Sequence, residues 1–257
     1  MPNASTISES PIVVYTLNKG KGLIDSFALL WRKADRSTLD FIRRALPLKG
    51  GYTRVSIPRL YALYSLTLRC IENGIAGAYV ECGVWKGGSS ALVNALLQSH
   101  EPSDPRPVWL FDSFEGLPQP SEKDGAGVQD RYYSGILAAD QSYVRRAHER
   151  AGSSLENVRV IPGWFNETLP QHREAIGTIA ILHIDVDLYD SVYCVLSELY
   201  DQVTPGGAIV IDDYGSEKRW PGCRRAVHEF FEERELDPEI IRRSDRSGAF
   251  FHKPMSS

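Results

Sequence analysis

Two adjacent carboxylates close the stretch "GAIVIDDYG" (207–215), where an apolar, β-branched run delivers Asp212 and Asp213 to one point. Like charges side by side at the end of a buried strand are costly unless a positive charge sits against them. A second apolar run, "TIAILHID" (178–185), ends in Asp185. If the two runs are neighbouring parallel strands, their carboxyl ends meet at a crevice, and Asp185, Asp212 and Asp213 converge there. Hard oxygen donors with no Cys or His among them suit Mg²⁺, which holds about six ligands and takes water or substrate hydroxyls in the remaining positions. Such an ion lowers the pKa of a bound hydroxyl. Asp185, able to touch ion and hydroxyl alike, is then the first candidate for the catalytic base. His183 reads as pointing to the opposite face of the strand. Asp187 is a supporting carboxylate or the base itself, or else, with Asp190, a cap and first-turn residue of the helix beginning near Ser191.

A second constellation lies upstream in "YVECGVWKGGSS" (79–90). A strand ends at Glu81, Gly83 makes a tight turn, Gly87 and Gly88 let the backbone approach a ligand, and Ser89 or Ser90 caps the next helix. Asp112 ends the following strand, where a carboxylate accepts hydrogen bonds from the two hydroxyls of a cofactor ribose. A dinucleotide would call for G-x-G-x-x-G, absent here; bulky Trp85 sits inside the turn, and Glu81 would repel a pyrophosphate. Glu81 would instead attract an ammonium such as the aminoacyl end of S-adenosylmethionine.

To hold these groups together the chain needs a parallel sheet. From about Ala78 onward, β-branched runs alternate with helix-like stretches: "AYVEC" (78–82), "PVWLFD" (107–112), "NVRVI" (157–161), "TIAILHID" (178–185), "GAIVID" (207–212), "EIIRR" (239–243) and "AFFHK" (249–253). This is the α/β pattern of a seven-stranded sheet covered on both faces. The last two runs, joined by "SDRSG", form a hairpin and add one antiparallel strand. "SSALVNALLQ" and "SVYCVLSELYDQV" have the spacing of crossover helices. Before residue 78 the chain is helical: "IDSFALLWRKA", "STLDFIRRAL", and a longer helix started near Ser56 and stopped at Gly74. Residues 1–77 therefore read as a lid or an oligomerisation region, and 78–257 as the catalytic domain. The polar, Gly-containing stretch between Pro118 and Ser154 is too long for an ordinary connection and reads either as a lid carrying Tyr132 and Tyr133 to substrate or as an oligomer contact.

Composition excludes other classes. The 257 residues carry a net charge of -4 and no run of like charges, which offers no attraction to nucleic acid. The four cysteines are widely spaced, without a zinc pattern, and read as reduced thiols of a cytoplasmic protein. Neither a signal peptide nor an apolar span of membrane length is present, so no membrane partner is expected. His148, His172 and His228 are expected at the surface, and "CRRAVHEFFEEREL" (223–236) as a solvated helix with Phe230 and Phe231 inward, whose Arg224 and Arg225 are not a phosphate site.

Taken in order, "ECGVWKGGSS" (81–90), "FDSFEGLP" (111–118), "GWFNETLP" (163–170), "IDVDLYDSV" (184–192) and "IDDYG" (211–215) resemble the macrocin O-methyltransferase family. The resemblance spans roughly residues 50 to 253. It implies a class I methyltransferase, Rossmann-like fold with a helical N-terminal lid, dependence on S-adenosylmethionine and a divalent metal, usually Mg²⁺, and homo-oligomers. It also implies methylation of a hydroxyl on a sugar of a glycosylated natural product in antibiotic biosynthesis. Residue by residue it places Glu81 and Gly83 at the methionine end of the cofactor, with Gly87, Ser89 and Asp185 in the same site. Asp112 falls on the ribose with Ser113 beside it, and Gly163, Trp164 and Phe165 at the adenine. A deoxysugar such as a rhamnosyl unit is the acceptor expected, with an enediyne such as calicheamicin as one parent. The alternatives are a phenolic hydroxyl as acceptor, a dinucleotide-dependent oxidoreductase on the same scaffold, and a non-catalytic ligand-binding protein.

Overall fold

Each of the seven runs in the catalytic half contributes strand residues, the run 239–243 only at its end. In the computed structural model, which describes residues 36–255, these strands are β1 (Ala78–Cys82), β2 (Val108–Asp112), β3 (Val158–Pro162), β4 (Ile179–Ile184), β5 (Val203–Ile211), β6 (Arg242–Arg243) and β7 (Ala249–His252). They form one sheet in the order β3-β2-β1-β4-β5-β7-β6, parallel except for β7, which runs antiparallel to both neighbours. Chain order reverses on either side of β1, with β2 and β3 to one side and β4 and β5 to the other. The carboxyl ends of β1 and β4 therefore border the crevice where a ligand can enter.

Among the described residues there are eight α-helices: α1 (Arg36–Ala45), α2 (Ile57–Glu72), α3 (Gly88–His100), α4 (Ala126–Gln129), α5 (Ser142–Ala151), α6 (Phe165–Ile176), α7 (Tyr189–Leu199) and α8 (Pro221–Glu233). One face packs Leu63, Leu66 and Cys70 of α2 and Val93 and Leu97 of α3 against Tyr79, Ile181 and Val210. The other packs Val192, Val195 and Leu196 of α7 and Phe230 and Phe231 of α8 against Val80, Leu182, Ile184 and Ile211. The alternation along each strand thus sends Tyr79 and Glu81 to the α2 face and Val80 and Cys82 to the α7 face.

The helix α2 starts and stops where its caps require. Ser56 accepts a hydrogen bond from the Arg59 N–H at 3.3 Å, Pro58 occupies the first turn, and the chain leaves the helix through Asn73 and Gly74. Residues Asp40–Ser257 make one compact unit, so α2 belongs to the body that carries the sheet. The stretch "STLDFIRRAL" is helical, in α1; "IDSFALLWRKA" lies outside the described residues.

Two expectations need correction. The run 239–243 is a strand only at Arg242–Arg243, because Pro238 opens a 3₁₀ turn over Pro238–Ile240 that the Asp237 carboxylate caps on the Glu239 N–H at 2.9 Å. The segment 118–154 is not a bare loop: it contains a 3₁₀ turn at Glu122–Asp124, then α4 and α5.

Candidate active site

The crevice is built where β1, β2, β4 and β5 end. After β1 the backbone turns at Gly83, with φ 87°, and a Cβ there would stand 2.0 Å from the Asp185 carbonyl oxygen. Only glycine lets the ends of β1 and β4 approach so closely. The Gly83 N–H donates to Phe111 O and the Asp185 N–H to Cys82 O, both at 2.9 Å, so the turn is tied to both neighbouring strands. Gly87, with φ 79°, sits at the N-cap of α3, and a Cβ there would meet Val144 Cα at 3.0 Å. Its close approach is therefore to α5, and Gly88 likewise faces the backbone of Tyr52. Neither serine caps α3: Ser90 donates to the Gly87 carbonyl at 2.9 Å, and Ser89 faces Thr53 Oγ1 at 3.4 Å.

Asp112 braces the same turn. Its Oδ2 accepts from the Val84 and Trp85 N–H groups at 2.7 and 2.8 Å, and its Oδ1 from the Phe114 N–H at 2.6 Å. Ser113 donates to the Gly116 carbonyl at 3.1 Å. Glu81, Gly83, Ser89, Asp112, Ser113, Gly163, Trp164, Phe165, Asp185, Asp212 and Asp213 all line one crevice, and Gly87 lies outside it.

At the β4–β5 end, charges crowd together. Oxygens of Asp185 and Asp212 and a ring nitrogen of His183 lie within 4.8 Å of one another. His183 and Asp185 are two residues apart and share a face, so the expectation that His183 points away is wrong. Its Nε2 is 3.4 Å from Asp212 Oδ1, its Nδ1 is 3.1 Å from the Tyr79 hydroxyl, and that hydroxyl donates to Glu81 at 2.7 Å. Burial opposes a charge on His183, but its contacts with Asp212 and Glu81 outweigh it and push its pKa up to about 10. Burial, then the charges of Asp212 and Asp213, hold the Asp185 carboxyl well above the usual carboxylate range. Burial, then Asp213 and Asp185, do the same to Asp187.

Besides His183, a guanidinium faces Asp212 with positive charge. Arg59, in the first turn of α2, donates through Nη1 to Asp212 Oδ2 at 2.9 Å and to its carbonyl at 3.0 Å, while its Nε lies 3.5 Å from Asp245. Reading the sequence missed it, although a signal exists. A cation in the first turn of a helix opposes the helix dipole, so an arginine placed there asks for an anion nearby. Even with Arg59 and His183, the cluster of Glu81, Asp185, Asp187, Asp212 and Asp213 keeps an excess of carboxylates. Oxygen donors that burial makes reluctant to ionise together fit a divalent cation.

Other expectations resolve plainly. The N-cap of α7 is Leu188, and the Tyr189 N–H donates to Asp124 Oδ1 at 2.7 Å, so Asp187 is not the cap; Asp190 does lie in the first turn. Asp187 has φ 61° and is buried beside the cluster. His148 is fully buried against Asn94 and Ser153, not at the surface; His172 packs beside Trp109 and Phe111, and His228 stacks on Tyr214. Arg224 and Arg225 pair with Glu217 and Glu229, as befits a solvated helix face. Tyr132 borders the outer part of the crevice, while Tyr133 is exposed. All four cysteines are free, and among the described residues no helix is long and apolar enough to cross a membrane.

Comparison with known proteins places this geometry. A model of the macrocin O-methyltransferase (TylF) family matches residues 31–253. The chain is 36% identical over 207 residues to demethyldecarbamoylnovobiocin O-methyltransferase of Streptomyces niveus, covering 79% of this chain and 76% of that one. It is 37% identical over 183 residues to 8-demethyl-8-(2,3-dimethoxy-alpha-L-rhamnosyl)-tetracenomycin-C 4'-O-methyltransferase of Streptomyces olivaceus, covering 70% and 67%. Among solved structures, the O-methyltransferase NovP superposes with a TM-score of 0.71 at 31% identity, covering 84% of this chain and 88% of that one.

Proposed function

The chain belongs to the macrocin O-methyltransferase family of antibiotic-pathway enzymes, and we propose that it methylates a sugar hydroxyl, such as one on a rhamnosyl unit, of a glycosylated natural product. The observation that carries this reading is the meeting of two sites in one crevice: the Gly83 turn braced by Asp112, and the carboxylates at the ends of β4 and β5. The relative from Streptomyces olivaceus is named for a substrate bearing a methoxylated rhamnosyl group, which supports a deoxysugar acceptor.

The residues divide the work. Asp112, aligned by three backbone N–H groups, would accept from the ribose hydroxyls of S-adenosylmethionine with its remaining lone pairs, with Ser113 beside it. Of the residues lining the crevice, Glu81 and Gly83 would hold the aminoacyl end, and Gly163, Trp164 and Phe165 the adenine. Asp185, Asp212 and Asp213 would hold Mg²⁺ or another divalent cation. When bound, S-adenosylmethionine supplies a methyl on a sulfonium, and the cation acidifies a hydroxyl. Asp185, at the end of β4 beside Asp212, would take the proton released by the hydroxyl. Arg59 and His183 hold Asp212 from two sides and fix its orientation.

Calorimetric titration with S-adenosylhomocysteine, with and without Mg²⁺ and with NAD as comparator, tests the cofactor assignment. Micromolar binding of S-adenosylhomocysteine and none of NAD is expected; the reverse order would restore the oxidoreductase alternative.

A further inference from the structure

Helix α7 begins without a cap of its own. Leu188 stands at its N-cap and offers no side-chain acceptor, so the first N–H groups of α7 need a partner from elsewhere. The Tyr189 N–H finds one in Asp124, 65 positions earlier, whose Oδ1 accepts it at 2.7 Å. Asp124 is 1% exposed, and its Oδ2 accepts from the Ser121 N–H at 3.0 Å and the Ser121 hydroxyl at 3.4 Å, so both oxygens are fixed. A Cβ on Gly222, in the first turn of α8, would stand 2.0 Å from the same Oδ1. One buried carboxylate thus lies against the first turns of both α7 and α8, where the helix dipoles favour negative charge. Lys123 adds a second tie beside it, donating to the Tyr189 hydroxyl at 2.7 Å.

The turn held in this way carries part of the acidic cluster. Only Asp185, Val186, Asp187 and Leu188 join β4 to α7. Asp187 takes φ 61°, a conformation that a non-glycine residue keeps where its surroundings enforce it. At one end the Asp185 N–H donates to Cys82 O at 2.9 Å, within the turn the Leu188 N–H closes on Val186 O at 2.6 Å, and at the other end the Tyr189 N–H is the one that Asp124 accepts. Asp187 also shares a hydrogen bond with Asp213 and feels the positive charge of Arg219. A shift of this turn would therefore reach the carboxylates after β5 as well.

Building on the reading of a divalent cation at Asp185, Asp212 and Asp213, we propose that Asp124 is a positioning residue: by capping α7 from another segment of the chain, it holds the turn from Asp185 to Leu188 in the geometry that binds the cation. Asp124 does not itself line the crevice. It acts through the Tyr189 backbone, so what the site requires at position 124 is a fixed oxygen acceptor rather than a charge.

Calorimetry on the wild type, Asp124→Ala and Asp124→Asn tests this, reading S-adenosylhomocysteine affinity and then Mg²⁺ affinity on protein saturated with S-adenosylhomocysteine. Loss of the acceptor in Asp124→Ala should weaken Mg²⁺ about tenfold or more, the usual cost of removing a group that orients a metal ligand, while S-adenosylhomocysteine changes by about twofold or less. Asp124→Asn keeps an oxygen for the Tyr189 N–H and should bind Mg²⁺ within about threefold of the wild type. Should Asp124→Ala fail to fold, Gly222→Ala gives the same reading, because its methyl displaces the Asp124 carboxylate without removing it. Unchanged Mg²⁺ affinity in the folded variant, a loss of S-adenosylhomocysteine affinity as large as that of Mg²⁺, or an Asp124→Asn as weak as Asp124→Ala would overturn the proposal while the methyltransferase reading stands. Failure of the unmodified protein to bind Mg²⁺ would remove the cation reading and this proposal together.

Discussion

The burial of His148 has a measurable consequence for acid stability. Its side chain is 0% exposed, Asn94 and Ser153 face its Nδ1, and its Nε2 has no partner. Burial alone lowers its pKa from 6.5 to about 4. As pH falls, the unfolded chain therefore takes up this proton first, between 6.5 and about 4, and the folded state loses stability across that window. Above pH 6.5 the contribution is complete. Linkage puts the loss at about 2 kcal/mol between pH 8 and pH 5 and about 3 kcal/mol by pH 4. Urea unfolding of the wild type and of His148→Gln at several pH values isolates this contribution, because other titrating groups are common to both proteins. The difference between the two stability curves should slope through this window and flatten above it. Parallel curves from pH 8 to pH 4 would refute the burial argument.

Three further perturbations probe the site. Gly83→Ala places a methyl 2.0 Å from the Asp185 carbonyl at a positive φ, so S-adenosylhomocysteine affinity should fall at least about tenfold by calorimetry; near-normal binding would contradict the strand approach described. Asp112→Ala removes the brace on Val84 and Trp85 together with the proposed ribose contact, and should weaken S-adenosylhomocysteine by about 1.5–3 kcal/mol. No change would take Asp112 out of the cofactor site. Arg59→Met leaves Asp212 without its guanidinium and should cost about 3–5 kcal/mol of stability. Added Mg²⁺ should then raise the Tm of this variant more than that of the wild type; equal shifts would mean that Arg59 and the cation do not share the same carboxylates.

Much of this arrangement is legible in the sequence, because strand ends are. The apolar runs closing at Asp112, Asp185 and Asp212 mark the carboxyl edge of a parallel sheet, and the hairpin before β7 is announced by its turn residues. The helix start at Ser56 is equally readable from its cap. What escapes is set by tertiary contact. Arg59 reaches Asp212 across 153 positions of sequence, and His148, in a polar-looking helix, is buried by α3 and the turn at Ser153. The serines of the Gly-rich turn are drawn inward rather than to a cap because α3 begins at Gly88, so its entry is made by Gly87 instead. His183 is a different case: the two-residue period already assigns it the face of Asp185.

The central claim is methyl transfer to a sugar hydroxyl assisted by a divalent cation at Asp185, Asp212 and Asp213. Mass spectrometry of a rhamnosylated acceptor incubated with protein and S-adenosylmethionine carrying a labelled methyl, with Mg²⁺ or with EDTA, tests it most directly. One labelled methyl on the sugar is expected with Mg²⁺, none with EDTA, and none with Asp212→Asn although that variant still binds S-adenosylhomocysteine. Label on the aglycone, or full transfer in EDTA and in Asp212→Asn, would contradict it.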